Sequence, residues 1–152
     1  MKGKTRNALL AECACSDLRR ATRAVSRMYE DYLRGEGLTA TQFALLGLIR
    51  AEKQLSISAL GRHMVMDRTS ITRALAPLGR DGLIHSRPGA DKRIRIVSLT
   101  NKGRKLAERA EPRWRQAQEA LLETIGEDRW RAMLTLLRDT TRRVRQRTIA
   151  AG

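Results

Sequence analysis

The sequence is poor in the residues that carry most enzymatic and metal chemistry. It contains only two histidines and two cysteines in 152 residues. Neither His63 nor His85 has Cys, Asp or His partners at the spacing of a metal site, and no pair of carboxylates stands out from the charged helix faces. We therefore expect no enzyme activity, no metal site and no bound cofactor.

Long apolar runs are also absent. No stretch approaches the roughly 20 apolar residues that cross a bilayer. The first residues, MKGKTRNALLAECAC, lack the apolar segment of a signal peptide. These absences predict no membrane span and a cytoplasmic location, and two cysteines in that compartment exclude a disulfide framework.

Positive charge is the dominant feature of the composition. The 31 Lys and Arg exceed the 16 Asp and Glu, which gives a formal net charge of +15. This excess indicates a polyanionic partner, but it is spread along the chain and does not locate the contact surface. Aromatic residues are scarce, with one Phe, two Tyr and two Trp. Proteins that bind single strands usually stack bases on aromatics, so the scarcity favours duplex DNA.

Residues 56–100 carry the most informative pattern. They predict a short helix, a tight turn, a second helix and two short strands, which is a winged helix-turn-helix. Asp67 is a good N-cap for the second helix. Apolar residues at spacings of four and three give this helix one buried face, which can pack on the preceding helix. The apolar residues are Ile71, Leu75 and Leu78 on the second helix and Ile57, Leu60 and Met64 on the first.

The opposite face of the second helix is suited to DNA. Its polar and cationic side chains can bind phosphates and base edges; they are Arg68, Thr69, Ser70, Thr72 and Arg73. Gly82 can end the helix with positive φ.

A basic hairpin should follow this helix. Residues 83–87 and 94–99 alternate as paired strands, and the tip between them contains Pro88, Gly89, Asp91, Lys92 and Arg93. A solvated helical hairpin followed by an ordinary β-hairpin is the alternative. The agreement of motif, charge and basic tip favours DNA binding.

The flanks are predicted to be long amphipathic helices. Their apolar stripes exceed what the small winged unit can cover, so an intertwined homodimer is favoured over a single-subunit core. Two recognition helices related by a two-fold axis would then lie about 34 Å apart, matching successive major grooves. The predicted architecture is mainly α, with dimerisation helices at 1–37 and 101–152 around a DNA-binding domain at 38–100.

The chain resembles the MarR family of bacterial transcriptional regulators. The resemblance is carried by LTATQFALLGLI at 38–49, MDRTSITRAL at 66–75, DGLI at 81–84 and DKRIRIVSLT at 91–100. It implies a homodimer that binds a pseudo-palindromic operator and usually represses. It also implies that Arg93 enters the minor groove while Asp91 steadies the wing. An architectural or nonspecific DNA-binding protein is the alternative function.

One departure from the family pattern is Pro77-Leu78-Gly79, where good helix formers are more usual. Proline removes a helical hydrogen bond. We therefore expect a kink or early unwinding in the last turn of the recognition helix.

The cysteines suggest one mode of regulation. Cys13 and Cys15 lie two residues apart, a poor geometry for a disulfide within one helix. They are either small apolar side chains near the dimer seam or redox sensors; Ser16 could cap the helix start, where nearby cations favour thiolates. In the peroxide-sensing branch of the family, a cysteine meets two tyrosines across the dimer. Cys15 and Tyr29 match the cysteine and the first tyrosine, whereas Ala40 occupies the second tyrosine position.

A small aromatic or anionic effector is the second mode. Family members often bind such molecules between the dimerisation helices and the winged unit. The residues that could line this cleft are Arg19, Arg23, Trp114 and Arg115. The alternative is that Trp114 packs in the core and that the three arginines are solvated charges on helix surfaces.

Overall fold

Helices dominate the computed structural model, which describes residues 13–150 and their side chains as far as residue 148. The elements are α1 Ala14–Leu33, a 3-10 turn Arg34–Glu36, α2 Ala40–Glu52, β1 Gln54–Ser56, α3 Ile57–Met64, α4 Arg68–Arg80, β2 Ile84–Pro88, β3 Arg95–Leu99, α5 Asn101–Ile125 and α6 Glu127–Ala150. This order confirms the predicted mainly α fold with a helix-turn-helix followed by a hairpin. Most of the N-terminal segment used for the expectation about export, residues 1–12, lies outside the described residues.

The small sheet has one strand more than predicted. Its order is β1-β3-β2, and all pairs are antiparallel. β2 and β3 form the expected wing, with bounds within one residue of the predicted ones. β1 is the addition: its three residues pair with β3, Leu55 opposite Val97. Three residues are too few to show the alternation by which a strand is recognised in a sequence.

The buried core lies between α2, α3, α4 and the sheet, with contributions from the end of α1 and the first half of α5. The predicted apolar face of α4 is buried, and Leu60 of α3 belongs to the same cluster, with Ile57 and Met64 packed against it. The largest fully buried side chains are Leu33, Leu45, Leu46, Ile49, Leu60, Ile71, Leu78 and Val97. This packing holds α4 by its apolar face and leaves the opposite face in solvent.

A close approach of α3 and α4 fixes the turn between them. Gly61 is buried, and a Cβ built on it would lie 2.9 Å from the carbonyl oxygen of Met66. The Met66 N–H in turn donates to the Gly61 carbonyl at 2.8 Å. Val65 ends α3 in the left-handed region at φ 54°, which is unusual for a β-branched residue. The turn is therefore tight, and α3 orients the start of α4.

The end of α4 differs from the expectation. The helix continues for three residues beyond Pro77, so the predicted early unwinding is wrong. The Asp81 N–H donates to the Pro77 carbonyl at 2.9 Å, and Gly82 follows with φ 67°, as predicted. The backbone bonds after Pro77 keep the last turn closed although proline itself donates none.

The chain divides into two compact units with a boundary between Arg115 and Gln116. The first contains the helix-turn-helix and the sheet. In the second, Gly126 has φ 81° and separates α5 from α6. None of the helices in residues 13–150 is both long enough and apolar enough to cross a membrane. The functional boundaries predicted at 37/38 and 100/101 stay predictions.

Candidate nucleic-acid interface

Asp67 organises the exposed start of α4. Its carboxylate accepts hydrogen bonds from the backbone N–H of Ser70 at 2.8 Å and from the Ser70 hydroxyl at 2.8 Å. The Ser70 backbone bond is the largest cause, and the hydroxyl the next, of a pKa for Asp67 below its ordinary value. The carboxylate therefore caps the helix as an anion at its positive end.

The five predicted DNA-contacting residues of α4 are all exposed. Two of the hydroxyls are used locally: Ser70 donates to Asp67, and Thr72 donates to the Arg68 carbonyl at 2.7 Å. A hydroxyl that has donated its proton still has lone pairs to accept with. In this arrangement Ser70 and Thr72 face a ligand as acceptors, whereas Arg68 and Arg73 can only donate.

The wing tip is closed by its own hydrogen bonds. The Asp91 carboxylate accepts from the Arg93 backbone N–H at 2.9 Å, and the Asp91 carbonyl accepts from Ile94 at 2.9 Å. The Gly89 N–H donates to the Ile94 carbonyl at 2.7 Å. Asp91 is thus occupied with the turn, while the side chains of Lys92 and Arg93 are exposed.

A groove joins the recognition helix to the wing. It has a volume of about 480 Å³ and lies between α3, the first turns of α4 and the approach to β3. It brings together three of the predicted contact residues, Arg68, Thr72 and Arg93. The other five, Thr69, Ser70, Arg73, Asp91 and Lys92, lie outside its lining, on the exposed helix start or the wing tip. Its full lining is Ile57, Ser58, Gly61, Arg62, Met66, Arg68, Ile71, Thr72, Arg93, Ile94 and Arg95.

Sequence reasoning missed two cations of this surface. Arg62 and Arg95 line the groove beside Arg68 and Arg93. The Arg95 guanidinium donates to the Ser86 carbonyl at 3.0 Å, which holds it along the wing. The signal was available for Arg95, because it lies at the start of the predicted second strand, directly beside the basic tip. For Arg62 only the packing of α3 against α4 reveals the position.

The candidate redox residues lie far apart within one chain. Cys15 is exposed in the first turn of α1, and Tyr29 is buried near the other end of that helix. Fourteen residues of helix correspond to a rise of about 21 Å. Burial raises the pKa of Tyr29. Any contact between the two side chains therefore requires a second subunit.

The start of α1 corrects one expectation. The helix begins at Ala14, with Cys13 in the N-cap position and no side-chain cap bond. Ser16 lies inside the first turn, so the prediction that it caps the helix is wrong. Ala40, at the second tyrosine position of the peroxide-sensing branch, is half-buried.

Of the four candidate ligand residues, only Trp114 is engaged in packing. The Trp114 ring stacks on Phe43, with centroids 5.9 Å apart, and is packed against the core. Arg115 and Arg50 both donate to Glu111, at 2.5 and 2.6 Å. The hydrogen bond from Arg50 is the first cause of the lowered pKa of Glu111, followed by that from Arg115. Arg19 and Arg23 are exposed on α1.

Comparison with known proteins gives a consistent result. Residues 38–94 match the sequence model of the MarR family. The transcriptional regulator SarZ of Staphylococcus epidermidis is 29% identical over 99 residues, 64% of this chain and 67% of SarZ. The fold is similar to that of the transcriptional regulator MosR of Mycobacterium tuberculosis in complex with DNA. The TM-score is 0.78 and the identity 36%, over 88% of this chain and 99% of MosR.

The fold is also similar to that of a regulator solved with a bound ligand. The PcaV transcriptional regulator of Streptomyces coelicolor, in complex with its natural ligand, has a TM-score of 0.77 and 25% identity. The match covers 87% of this chain and 94% of PcaV.

Proposed function

This chain belongs to the MarR family of transcriptional regulators, and we propose that it binds a pseudo-palindromic duplex DNA operator as a homodimer and represses transcription there. It is a regulator and not an enzyme. Each subunit presents the start of α4 to the major groove and the wing tip to the minor groove. The residues predicted for these roles are, on α4, Arg68, Thr69, Ser70, Thr72 and Arg73 and, on the wing, Asp91, Lys92 and Arg93.

The main support for this proposal is that the start of α4 and the wing tip lie beside the same groove. Arg68 from the helix and Arg93 from the wing line one groove, and both side chains are exposed. A cationic helix start beside a cationic tip matches the layout of a duplex, in which a major groove is followed by a narrower, strongly negative minor groove. The solved complex of MosR with DNA, at 36% identity, supports the same assignment.

The distribution of exposed apolar side chains supports the homodimer. Among the described residues, five of the seven large hydrophobic side chains that are exposed lie on α1 and α6, the predicted dimerisation helices. Water-exposed leucine and valine on long amphipathic helices favour burial against another helix. These five are Leu18, Tyr32, Leu136, Leu137 and Val144.

Selection from random duplexes tests the function directly. We expect the purified chain to enrich a sequence with two related half-sites and to prefer it over random DNA by roughly a thousandfold or more at physiological salt. A nonspecific or architectural protein would instead bind every duplex alike, through counterion release with a steep salt dependence. In vitro transcription with the enriched site placed over a promoter then tests repression, and increased transcript would show activation.

Thr72→Val is expected to change the base preference of the chain. Valine is close in shape but cannot accept a hydrogen bond, so one base position should lose discrimination by about 1 kcal/mol. The measurement is competition between the enriched operator and single-base variants of it.

Thr124→Val is the matched control for this variant, because Thr124 also donates to the carbonyl four residues earlier, at 2.7 Å, but lies outside the interface. An equal loss on every DNA sequence would contradict a base-reading role for Thr72.

Cys15→Ser tests release by an oxidant. We propose that peroxide oxidises the exposed Cys15 thiol to a sulfenic acid, with Tyr29 of the other subunit nearby, and that this lowers operator affinity. We expect peroxide to release DNA from the wild-type chain and from Cys13→Ser, but not from Cys15→Ser. If Cys15→Ser is released as readily as the wild type, the oxidant hypothesis fails.

Release by a small aromatic or anionic effector is the alternative regulation. The ligand complex of PcaV supports it, and Arg19, Arg23, Trp114 and Arg115 are the predicted cleft residues. Saturable thermal stabilisation by a phenolic carboxylate, together with loss of operator binding, would favour this mode over oxidation.

A further inference from the structure

The end of the recognition helix is joined to the start of α5 by a compact set of contacts. We call this set the α4–α5 junction; it comprises residues 81–83 and 100–103. The junction lies within the first compact unit and at the opposite end of α4 from the DNA-contacting turn. None of its residues belongs to the interface described above.

Three successive carbonyls after α4 are bound by groups from the start of α5. Lys102 Nζ donates to the Asp81 carbonyl at 2.8 Å. The Thr100 hydroxyl donates to the Gly82 carbonyl at 2.8 Å, and the Thr100 N–H donates to the Leu83 carbonyl at 3.0 Å. These residues follow the helix and have no partners within it, so the bonds satisfy backbone carbonyls that would otherwise require water.

Thr100 has a second role in the same place. Its hydroxyl oxygen also accepts from the Gly103 N–H at 2.9 Å and so caps α5. One side chain therefore joins the chain segment after α4 to the first turn of α5. The link is short, because it runs through one hydroxyl and the backbone.

Gly103 leaves no space between the two segments. A Cβ built on it would lie 2.0 Å from the Leu83 carbonyl oxygen and 2.9 Å from the carbonyl carbon. Real side chains do not make such contacts, and the obstructing atoms belong to backbone, which cannot rotate away. Leu83 is itself buried, at 3% exposure. The backbone at the start of α5 therefore lies directly against the backbone of the residue that precedes β2.

From this geometry we propose that Thr100 and Gly103 are positioning residues that set the half-site spacing accepted by the dimer. They fix the direction of α4 relative to α5, one of the predicted dimerisation helices. In a symmetric pair, a small change in this direction alters the separation of the two recognition helices. This inference rests on the proposed function, since it requires a dimer on two half-sites.

The test compares four variants of the full chain on a set of duplexes. The duplexes are the operator enriched by the wild-type chain, versions of it with the half-sites moved by one or two base pairs in either direction, and a random duplex. Gly103→Ala and Thr100→Val disrupt the junction. Thr100→Ser keeps both hydroxyl bonds, and Gly47→Ala adds the same methyl to α2, where a Cβ meets nothing within 4 Å.

We expect the two disrupting variants to lose about tenfold in affinity for the original operator and to change their ranking of the spacings. Their affinity for the random duplex should not change, because the cationic surface is intact. Thr100→Ser and Gly47→Ala should retain the wild-type ranking. Alanine normally favours a helix over glycine, so a penalty at position 103 alone points to the close contact.

If Gly103→Ala does not fold, Thr100→Val still tests the junction, because this substitution only replaces a hydroxyl by a methyl. Thermal unfolding shows which variants are folded. A folded Thr100→Val that ranks the spacings as the wild type does would overturn the junction proposal. A wild-type chain that enriches no sequence with two half-sites would instead overturn the proposed function. The two failures are therefore distinguishable.

Discussion

Arg93→Ala is expected to reduce operator affinity about a hundredfold, that is, about 1.4 kcal/mol from each of two subunits. Arg93 is exposed at a wing tip that is already closed by Asp91, so the substitution removes a cation without opening the turn. The slope of log affinity against log salt should become shallower by about 2, one for each arginine. Random duplexes should be affected as well, because the negative potential of the minor groove is common to all of them.

Two variants control for charge in this experiment. Arg20→Ala removes one positive charge from α1, where the side chain is 74% exposed, and should leave binding unchanged. Arg93→Lys keeps the charge but loses the planar fork of donors, so its affinity should fall between those of wild type and alanine. If Arg20→Ala and Arg93→Ala behave alike, the wing has no special role and only net charge matters.

Val144→Asp should produce a monomer and abolish high-affinity operator binding. Val144 is 59% exposed on α6 and shares a helical face with Leu137, seven residues earlier. A carboxylate buried against a second subunit without a partner is strongly unfavourable. A single subunit contacts one half-site and loses the effective concentration supplied by the other, which costs roughly a hundredfold or more in affinity.

Light scattering measures the mass of each protein in solution, and a separate assay measures its affinity for the operator. We expect 17.2 kDa for the variant and twice that mass for the wild type. Gln146→Asp adds the same charge on the same helix about 200° away and should remain dimeric. A wild-type chain that is monomeric at micromolar concentration, or a dimeric Val144→Asp, would contradict the proposed role of α6.

Much of the DNA-binding unit was predictable because its signals are local. Asp67 occupies the cap position that its residue type favours, and the apolar spacing in α4 correctly gives its buried face. Gly82 adopts the positive φ expected at a helix end. Each of these features depends on a few neighbouring residues, so each can be inferred from the sequence.

The errors have physical reasons as well. Pro77 removes one donor, but backbone hydrogen bonds from Asp81 and Leu83 keep the last turn of α4 closed. Ser16 is a good capping residue, yet the helix begins two residues before it. β1 is invisible in the sequence because three residues carry no periodicity, and only pairing with β3 makes them a strand.

The sequence alone determined the order of the helices and the wing strands, the cap and exposed cationic face of α4, and the basic turn of the wing. Hydrogen bonding within a few residues and apolar periodicity specify these features. The tertiary structure decided which distant residues meet: Arg62 and Arg95 beside Arg68 in one groove, and Gly103 against the Leu83 backbone. Those meetings depend on how α3, α4, α5 and the sheet pack in three dimensions, and no local pattern encodes such contacts.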